Sequence, residues 1–270
     1  MYDLASLDRE LAGAVFAGKI HFSPVTESTN SDALAAARAG APHGSVYLAD
    51  EQTAGRGRGG HAWHSAAGQG LYVSALLRLA LPPERLLLLP LAAGLAAADA
   101  IHAVVGLTLD LRWPNDLLVG PSKTGGILVE ALATPKGKSE KLPHAVAVVG
   151  IGINVHQRSF PSGLATPATS LDWAAGRVIP RQPLLVALLQ FLEREVRALV
   201  EETAASGIIA RVEAASTWIR GRRVEVHGPQ PCTGVTAGLD ERGFLLVETP
   251  AGLVTVQTGG IRSAASALAG

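Results

Sequence analysis

The sequence predicts an α+β fold. Apolar residues recur at three- and four-residue spacing near the N-terminus and over residues 182–217, which is the spacing of amphipathic helices. Short apolar runs bounded by glycine, proline and turn residues lie between these segments and predict strands. From residue 222 onward only short strand-like segments remain. This change of pattern predicts two domains, a larger one over residues 1–219 and a small β-rich one over residues 220–270.

Length, charge and cysteine content limit the classes of function. A chain of 270 residues is long enough for one large domain with a stable core and a small second domain. Lys plus Arg and Asp plus Glu are both 23, so no net charge draws the chain to nucleic acid or to an anionic membrane. The single cysteine, Cys232, excludes a disulfide framework, and the first ten residues lack the apolar segment of a signal peptide. We therefore expect a cytoplasmic protein that binds neither DNA nor membranes.

The first forty residues predict two helices and one strand. Apolar spacing predicts a helix over residues 3–17, and a short strand follows at residues 19–22. Ser28, Thr29 and Asn30 then precede an alanine-rich helical segment. All three residue types are favoured at the N-cap, so they can mark a helix start and nothing more. Their polar groups also suit a helix N-terminus that holds a polar group of a ligand.

Residues 50–71 are neither helical nor strand-like, and they join predicted strands at residues 46–49 and 71–79. A connection of this length in a compact domain is usually functional. Glycines permit φ > 0 and let the backbone approach a ligand closely, and the centre of this loop contains Gly55, Gly57, Gly59 and Gly60.

Arg56 and Arg58 lie between these glycines, and Trp63 follows them. Guanidinium groups are planar forks of N–H donors that suit carboxylate and phosphate oxygens. The combination indicates a loop that closes over an anion. The alternative from these residues alone is a disordered arginine–glycine tract that binds RNA.

An apolar run over residues 86–105 is almost long enough to span a bilayer. It contains Pro90, Asp99 and His102, and its middle is mostly alanine, whose transfer into lipid gains little. We predict a buried core helix that is kinked or restarted at Pro90.

Two short polar motifs follow this helix. The strand pattern of residues 107–119 is interrupted by the motif WPND, which ends with Asn115 and Asp116 and suits a turn. Lys123 then precedes a pair of glycines, and a strand is predicted to begin directly after them, over residues 127–132. Such a lysine can contact a ligand while the backbone comes close. Taken singly, the two motifs are also typical of an ordinary turn and a solvated lysine.

Residues 145–155 form a continuous apolar run that ends at Asn154 and contains Gly150 and Gly152. The run predicts a central strand with a close backbone approach at its glycines. A dinucleotide-binding fingerprint would need a third glycine and a following helix, and neither is present.

The last part of the chain changes from helices to strands. Helical patterns over residues 182–202 and 208–217 end near Trp218. Four short β segments follow, separated by turns such as residues 240–243. About fifty residues of short strands predict a small barrel.

Four stretches, GRGRGG, WPND, KTGGILVE and VVGIGINV, occur in this order in the chain. In that order and at these separations the chain resembles the biotin protein ligases, also called biotin–[acetyl-CoA-carboxylase] ligases or holocarboxylase synthetases. The resemblance extends from about residue 20 to the C-terminus and includes residues 28–30 and 168–171. It implies a mixed, largely antiparallel sheet with flanking helices, similar to class II aminoacyl-tRNA synthetases. A small C-terminal SH3-like β-barrel is also implied, with residues 259–261 as its final turn.

The resemblance implies an ATP-dependent reaction in two steps. The carboxylate of biotin attacks the α-phosphate of ATP, and a lysine of a biotin carboxyl carrier protein domain then attacks the resulting biotinyl-5′-AMP. Two anions meet in the first step, so catalysis needs fixed positive charge and N–H donors more than a general base. ATP and biotin are the implied substrates, with Mg²⁺ bridging the phosphates. We expect a monomer or a weak homodimer.

Roles for individual residues also come from the resemblance. The implied catalytic residues are Lys123, Arg58 and Asp116. The implied biotin-binding residues are Ser28, Thr29, Asn30, Gln52, Gly55, Arg56, Gly57, Arg58, Lys123 and Gly126. The implied ATP-binding residues are Arg56, Arg58, Trp63, Asn115, Lys123 and Asn154. No protein ligand to a metal is implied, and whether Asp116 meets the metal or only shapes a turn stays open.

The chain departs from the family pattern at three places. Many bacterial members begin with a DNA-binding helix-turn-helix domain, but here the Ser-Thr-Asn motif already occurs at residue 28, so we expect no repressor function. Arg112 stands where the family often has lysine, and Gly59 stands where a further arginine is common. Two alternatives stay open, a lipoate-type ligase and a non-enzymatic RNA-binding module. The arginine-pair and His-Asp motifs of lipoate-type ligases are not seen in this sequence. The neutral net charge and the low aromatic content, with only 5 Phe and 3 Tyr, argue against an RNA-binding module.

Overall fold

The computed structural model describes residues 2–132, 144–201 and 205–264. Glu202, at the end of a predicted helix, and residues 265–270 of the predicted C-terminal domain lie outside the described residues. The helices are α1 Leu4–Glu10, α2 Thr29–Arg38, α3 Leu89–Val105, α4 Leu171–Ala175, α5 Arg181–Val200 and α6 Ala205–Ala214. The strands are β1 Ile20–Thr26, β2 Val46–Gln52, β3 Gly70–Ala80, β4 Asp110–Arg112, β5 Asp116–Val119, β6 Ser122–Leu132, β7 His144–Asn154, β8 Arg220–His227, β9 Cys232–Leu239, β10 Leu245–Thr249, β11 Gly252–Val256 and β12 Gly260–Ser263.

Seven strands form one mixed sheet in the order β1-β2-β3-β7-β6-β5-β4. The pair β1–β2 is parallel, and the other neighbours are antiparallel. The mixed α+β arrangement with flanking helices is therefore confirmed. Strand β7 lies in the middle of the order, as its continuous apolar run predicts, because it contributes buried apolar side chains to both faces of the sheet.

The two faces of this sheet have different roles. Side chains alternate along a strand, so Val149 and Ile151 of β7 enter the main core with α3 and α5. Val148, together with Leu76 of β3, faces the other way and packs against Ala33 of α2. The second face is only partly covered by helix, which leaves room for a site beside α2.

The apolar segment before residue 105 is a helix of the protein core. A 3₁₀ turn, Pro83–Leu88, leads into α3, and Pro90 falls in the first turn of α3. This confirms a helix that restarts at Pro90. Within the described residues, Glu84–Val105 is the one helical segment long and apolar enough to cross a membrane, and 67% of its most apolar window is buried inside the protein.

The predicted helix over residues 3–17 is wrong in its second half. Helix α1 ends at Glu10, and Gly13 adopts the left-handed conformation with φ of 87°. The chain continues in turns, yet Leu11 and Phe16 are still buried. Of the apolar residues in the predicted pattern, Leu7 and Leu11 are buried, whereas Leu4 is 41% exposed, and the glycine ended the helix early.

The C-terminal strands form a five-stranded sheet in the order β11-β10-β9-β8-β12. Its apolar side chains Val224 and Val247 continue the core of the larger part, and the Trp113 indole N–H donates to Gly243 O at 3.0 Å. The predicted final turn at residues 259–261 is wrong by about two residues, since Gly260 already pairs with His227 as the start of β12.

Candidate active site

The site lies on the sheet face that carries α2. Four small residues, Ser74 of β3, Gly126 of β6, and Gly150 and Gly152 of β7, are neighbours on the central strands. Ser74 pairs with Gly150, and Gly126 pairs with Gly152. Because these positions carry little or no side chain, they leave a hollow in the sheet face, which we call the glycine hollow.

Neighbouring side chains enter this hollow so closely that only glycine fits. A Cβ on Gly150 would lie 2.0 Å from Asn30 Oδ1, and a Cβ on Gly152 would lie 2.5 Å from Trp63 Nε1. Both distances are far below van der Waals contact. The close approach predicted for the two glycines of β7 is therefore confirmed. The Trp63 indole N–H is buried and has no hydrogen-bond partner among the described residues, so a donor remains for a ligand.

One end of the hollow is a neutral polar pocket at the start of α2. Ser28 occupies the N-cap, but its side chain makes no capping hydrogen bond. The Thr29 backbone N–H and hydroxyl lie 2.9 and 3.1 Å from Gln52 Oε1. Ser28, Thr29 and Asn30 are all at most 4% exposed, which is unusual for polar residues at a helix start. The motif is a helix start, and it also presents buried polar groups to the hollow.

Ser74 and Glu130 complete this polar pocket, and sequence patterns did not single them out. The charge of Glu130 is balanced by its ion pair with Arg56. The Ser74 hydroxyl lies 2.8 Å from Thr29 Oγ1 and 2.5 Å from Asn30 Oδ1. The Asn30 amide donates to Glu130 Oε2 at 2.9 Å. The only sequence signal was a polar residue inside each of two apolar strands, LYVSALLRL and GGILVEAL.

The other end of the hollow is cationic. The Lys123 ammonium lies 2.5 Å from Asp116 Oδ1, and the Arg112 guanidinium donates to Asp116 Oδ2 at 2.5 and 3.1 Å. The Lys123 ammonium also lies 5.5 Å from the centre of the Trp63 ring, within cation–π range. Arg112 further donates to the Thr166 hydroxyl at 2.8 Å. One carboxylate thus orients two cations, of which Lys123 lies beside Trp63.

Lys123 is placed differently from the prediction. The sequence suggested a lysine ahead of a strand, whereas Lys123 is the second residue of β6 and its side chain is 27% exposed. The β5–β6 pairing shifts register between Leu117 and Leu118, and Lys123 pairs across its other side with Ala168. This irregular pairing extends the strand across the glycine pair, because the Lys123 backbone N–H donates to Pro167 O at 2.7 Å and its carbonyl accepts from the Thr169 N–H at 3.0 Å.

The two loop arginines are held by different partners. Arg56 forms two hydrogen bonds with the Glu130 carboxylate, at 2.6 and 3.1 Å. Arg58 donates to Gly259 O and Thr258 Oγ1 of the C-terminal sheet. Burial lowers the pKa of Arg58, and the negative charge of Asp116 opposes that shift.

The loop backbone contains defined hydrogen-bonded pairs and one helical turn. Gln52 bridges to Ser65 and Arg56 bridges to Ala62, and a 3₁₀ turn covers Arg58–Gly60. Only two of the four predicted glycines use positive φ, namely Gly59 at 68° and Gly60 at 81°. Gly55 serves a close approach instead, since a Cβ there would lie 2.4 Å from Trp63 O, and Gly57 has φ of −111°.

Asn115 and Asn154 both hold backbone near the site. The Asn115 amide donates to Ile127 O at 2.8 Å, which ties the WPND turn to β6. The Asn154 amide donates to Thr169 O at 3.1 Å, and its side-chain oxygen accepts a hydrogen bond from Gln157. Their amides are therefore already engaged, and they shape the cationic end of the site.

The site contains four cations and two carboxylates, so four minus two leaves a formal charge of +2. The cations are Arg56, Arg58, Arg112 and Lys123, and the carboxylates are Asp116 and Glu130. Among the described residues, no three His, Cys, Asp or Glu side chains lie close enough together to hold a metal ion. The arrangement suits an elongated ligand with neutral hydrogen-bonding groups at one end and negative charge at the other.

Comparison with known proteins places this geometry in a family. Residues 22–154 match the profile of the Biotin/lipoate A/B protein ligase family. The chain is 35% identical over 252 residues to the Bifunctional ligase/repressor BirA of Bacillus spizizenii, covering 89% of this chain and 72% of the relative. It is 34% identical over 242 residues to the Biotin–[acetyl-CoA-carboxylase] ligase of Mycobacterium tuberculosis, covering 87% and 85%. Among solved structures, the biotin protein ligase from Aquifex aeolicus in complex with biotin and ATP superposes with a TM-score of 0.75 at 29% identity, covering 91% of this chain and 98% of that one.

Proposed function

Because this chain belongs to the Biotin/lipoate A/B protein ligase family, we propose that it is an ATP-dependent biotin ligase. It activates biotin as biotinyl-5′-AMP and transfers the biotinyl group to a lysine of a biotin carboxyl carrier protein domain. Relatives named biotin–[acetyl-CoA-carboxylase] ligase and a structural neighbour bound to biotin and ATP support this activity. A neighbour from Leishmania major bound to biotinyl-5-AMP supports only the fold, at 24% identity.

The observation that carries the proposal is that the two ends of the glycine hollow differ in charge. Biotin has an uncharged ureido ring with donors and acceptors at one end and a carboxylate at the other. The Thr29–Asn30 end offers neutral polar groups, while the opposite end offers the Lys123 ammonium. Gly150 and Gly152 lie along the distance between these ends, about 7 Å for two strand residues. Their missing side chains make room for Asn30 and Trp63, which lie directly against them.

In the first step, a carboxylate oxygen of biotin bonds to the α-phosphorus of ATP, and the bond to the β-phosphate oxygen breaks to release pyrophosphate. Lys123 lies between the two anions and lowers their repulsion, with Arg58 adding charge from the loop. Asp116 acts by holding Lys123 and Arg112 in place. In the second step, the amine of the acceptor lysine attacks the biotinyl carbonyl carbon, and AMP leaves. Neither step needs a nucleophile from this chain.

The remaining residues have proposed binding roles. For biotin these are Ser28, Thr29, Asn30, Gln52, Gly55, Arg56, Gly57, Arg58, Lys123 and Gly126. For ATP they are Arg56, Arg58, Trp63, Asn115, Lys123 and Asn154. Ser74 and Glu130 join the biotin set, because both contact Asn30 in the polar pocket.

We propose that Mg²⁺ enters the site on the nucleotide. The carboxylates at the site are already occupied, Asp116 by Arg112 and Lys123, and Glu130 by Arg56 and Asn30. A divalent ion favours oxygen ligands that are not already paired with cations. The protein oxygens at the site alone therefore do not fit such an ion. The phosphate oxygens of ATP would hold the ion, which would supply charge neutralisation at the phosphates.

Further features of the proposal concern architecture and setting. We propose domains at residues 1–219 and 220–270, with a class II aminoacyl-tRNA synthetase-like catalytic part and an SH3-like barrel after it. Support comes from β8, which starts at Arg220 and opens the separate five-stranded sheet. The single cysteine supports a cytoplasmic protein, and the neutral formal charge supports the absence of a DNA-binding role. Its proposed state is a monomer or a weak homodimer.

The test is transfer of labelled biotin. The purified protein is incubated with labelled biotin, MgATP and a biotin carboxyl carrier domain, and the label on the carrier is counted. A carrier whose target lysine is replaced by arginine is the matched control. ATP-dependent labelling of the intact carrier alone is the expected result. No labelling, or faster transfer of labelled lipoate to its own acceptor domain, would overturn the proposal.

A further inference from the structure

Arg58 joins the glycine loop to the C-terminal sheet. Its guanidinium donates to Gly259 O at 2.5 Å and to Thr258 Oγ1 at 2.7 Å. These partners are two hundred residues away in the chain and lie between β11 and β12. The contact therefore depends on how the small sheet sits against the loop.

The backbone that receives Arg58 has a fixed shape. Gly259 has φ of 131°, a conformation that L-residues rarely adopt. A Cβ on Gly259 would lie 2.3 Å from His227 O, and a Cβ on Gly228 would lie 2.9 Å from the Gly259 Cα. The turn is thus pressed against the end of β8, so Gly259 O has little freedom to move away from Arg58.

Arg58 differs from the other cations of the site in the charge of its partners. Arg56 contacts the Glu130 carboxylate, while Arg112 and Lys123 contact the Asp116 carboxylate. Both acceptors of Arg58 are neutral, and no carboxylate among the described residues forms a salt bridge with it. Arg58 is thereby oriented without being neutralised, so its full charge stays available to an anion.

We propose that the turn at residues 257–259 positions Arg58 for the adenylation step, with Thr258 as the positioning residue. The inference rests on the proposed ligase function, and it makes the C-terminal sheet part of the assembly of the active site. Thr258 touches no reacting atom. It holds one N–H group of Arg58, while Gly259 O holds another, so the guanidinium faces the arriving nucleotide in one orientation.

The first test is kinetic and uses the full chain. Thr258→Val removes the hydroxyl at nearly constant volume, and we expect kcat/KM for ATP in biotin-dependent ATP–pyrophosphate exchange to fall about tenfold, the effect of one hydrogen bond to a charged group. Thr258→Ser should restore most of this loss. Thr249→Val is the matched control, because among the described residues the Thr249 hydroxyl bonds only within the β10–β11 turn, to Gly252 O at 2.8 Å and from Ala251 N–H at 3.2 Å.

A double-variant cycle separates positioning from an independent effect. If Thr258 acts through Arg58, then Thr258→Val should cost nothing further in an Arg58→Gln background. Losses that multiply in the double variant would overturn the proposal. So would wild-type kinetics in Thr258→Val, or an equal loss in Thr249→Val.

Hydrogen exchange tests the same contact without any substrate. Amides of residues 55–61 should exchange faster in Thr258→Val than in the wild type or in Thr249→Val, because Arg58 loses one of its two hydrogen bonds to the turn. Equal exchange in all three proteins would overturn the positioning role. If the wild type shows no biotin-dependent exchange of pyrophosphate, the proposed function fails, and the hydrogen-exchange result still decides whether Thr258 holds the loop.

Discussion

Lys123 and Asp116 form a close ion pair, with the ammonium nitrogen 2.5 Å from Asp116 Oδ1. The second oxygen of the same carboxylate is held by Arg112. Asp116 therefore orients the Lys123 side chain and at the same time keeps its hydrogen bonds to Arg112 of β4. An anion that approaches Lys123 meets an ammonium group already aimed into the glycine hollow.

Lys123→Ala should abolish most of the adenylation activity while the fold is retained. The ammonium is the group that lies between two anions in the proposed reaction, and removal of one such charged donor typically lowers kcat by roughly 10²–10³-fold. Asp116 keeps Arg112 as its partner, so we expect a stability change below about 1 kcal/mol. The measurements are biotin-dependent ATP–pyrophosphate exchange and thermal melting.

Lys19→Ala provides the control for this prediction. Lys19 is also partly buried and donates to two backbone carbonyls, Val15 O and His43 O, but it is not part of the site. Its loss should affect melting more than pyrophosphate exchange. Exchange at the wild-type rate in Lys123→Ala would contradict the assigned role.

Gly150→Ala should weaken biotin binding. The new methyl group would lie 2.0 Å from Asn30 Oδ1, so Asn30 must move and the polar pocket must open. We expect at least a tenfold higher Kd for biotin, equivalent to about 1.4 kcal/mol. Isothermal titration with biotin is the direct measurement.

The matched control is Gly94→Ala in α3. A Cβ there meets its nearest neighbour, Ile127 Cδ1, at an ordinary 3.7 Å, and alanine favours a helix interior by about 0.5–1 kcal/mol over glycine. Gly94→Ala should bind biotin as the wild type does and melt at the same or a higher temperature. Unchanged biotin affinity in Gly150→Ala would show that Asn30 is not needed in its present position.

Arg112→Lys should lower stability more than activity. Lysine keeps the positive charge beside Asp116, but it cannot reproduce the two hydrogen bonds to Asp116 together with the one to Thr166. We expect the free energy of unfolding to fall by about 1–2 kcal/mol, with pyrophosphate exchange within a few-fold of the wild type. Urea unfolding and the exchange assay measure the two effects, and an unchanged urea midpoint would contradict this account.

Tyr2 should make the protein less stable at alkaline pH. Its hydroxyl is buried without a hydrogen-bond partner among the described residues, and burial raises its pKa to about 12 from the usual 10.0. Between these two values the unfolded chain loses a proton that the folded chain keeps. The free energy of unfolding therefore falls as pH rises through this interval, by up to about 3 kcal/mol.

Tyr2→Phe removes this titration and keeps the ring. The difference in unfolding free energy between Tyr2→Phe and the wild type should be small at pH 8 and should grow in favour of the variant above pH 10. Urea unfolding at several pH values follows it. Parallel pH profiles for the two proteins would show that the Tyr2 hydroxyl does not titrate differently in the fold.

The sequence by itself determined most elements and the close approach at the glycines of β7. The run over residues 145–155 indicated a central strand because both sheet faces are covered, and its glycines indicated the close approach now seen at Asn30 and Trp63. Helix α3 was predicted as a core helix from its alanines and polar residues. These inferences hold because periodicity and backbone freedom are local properties, which neighbouring residues fix.

Only the tertiary structure decided which charges meet. The partnership of Arg56 with Glu130, and of Arg58 with Thr258, joins residues 74 and 200 positions apart. Such pairs depend on the register of β6 and on the position of the five-stranded sheet. Neither produces a periodic pattern in the sequence. Ser74 escaped notice for the same reason, since a single polar residue in a strand acquires its role only when α2 crosses above it. A short local pattern specifies what each segment can form, whereas long-range packing selects the partner from many residues of the same chemical type.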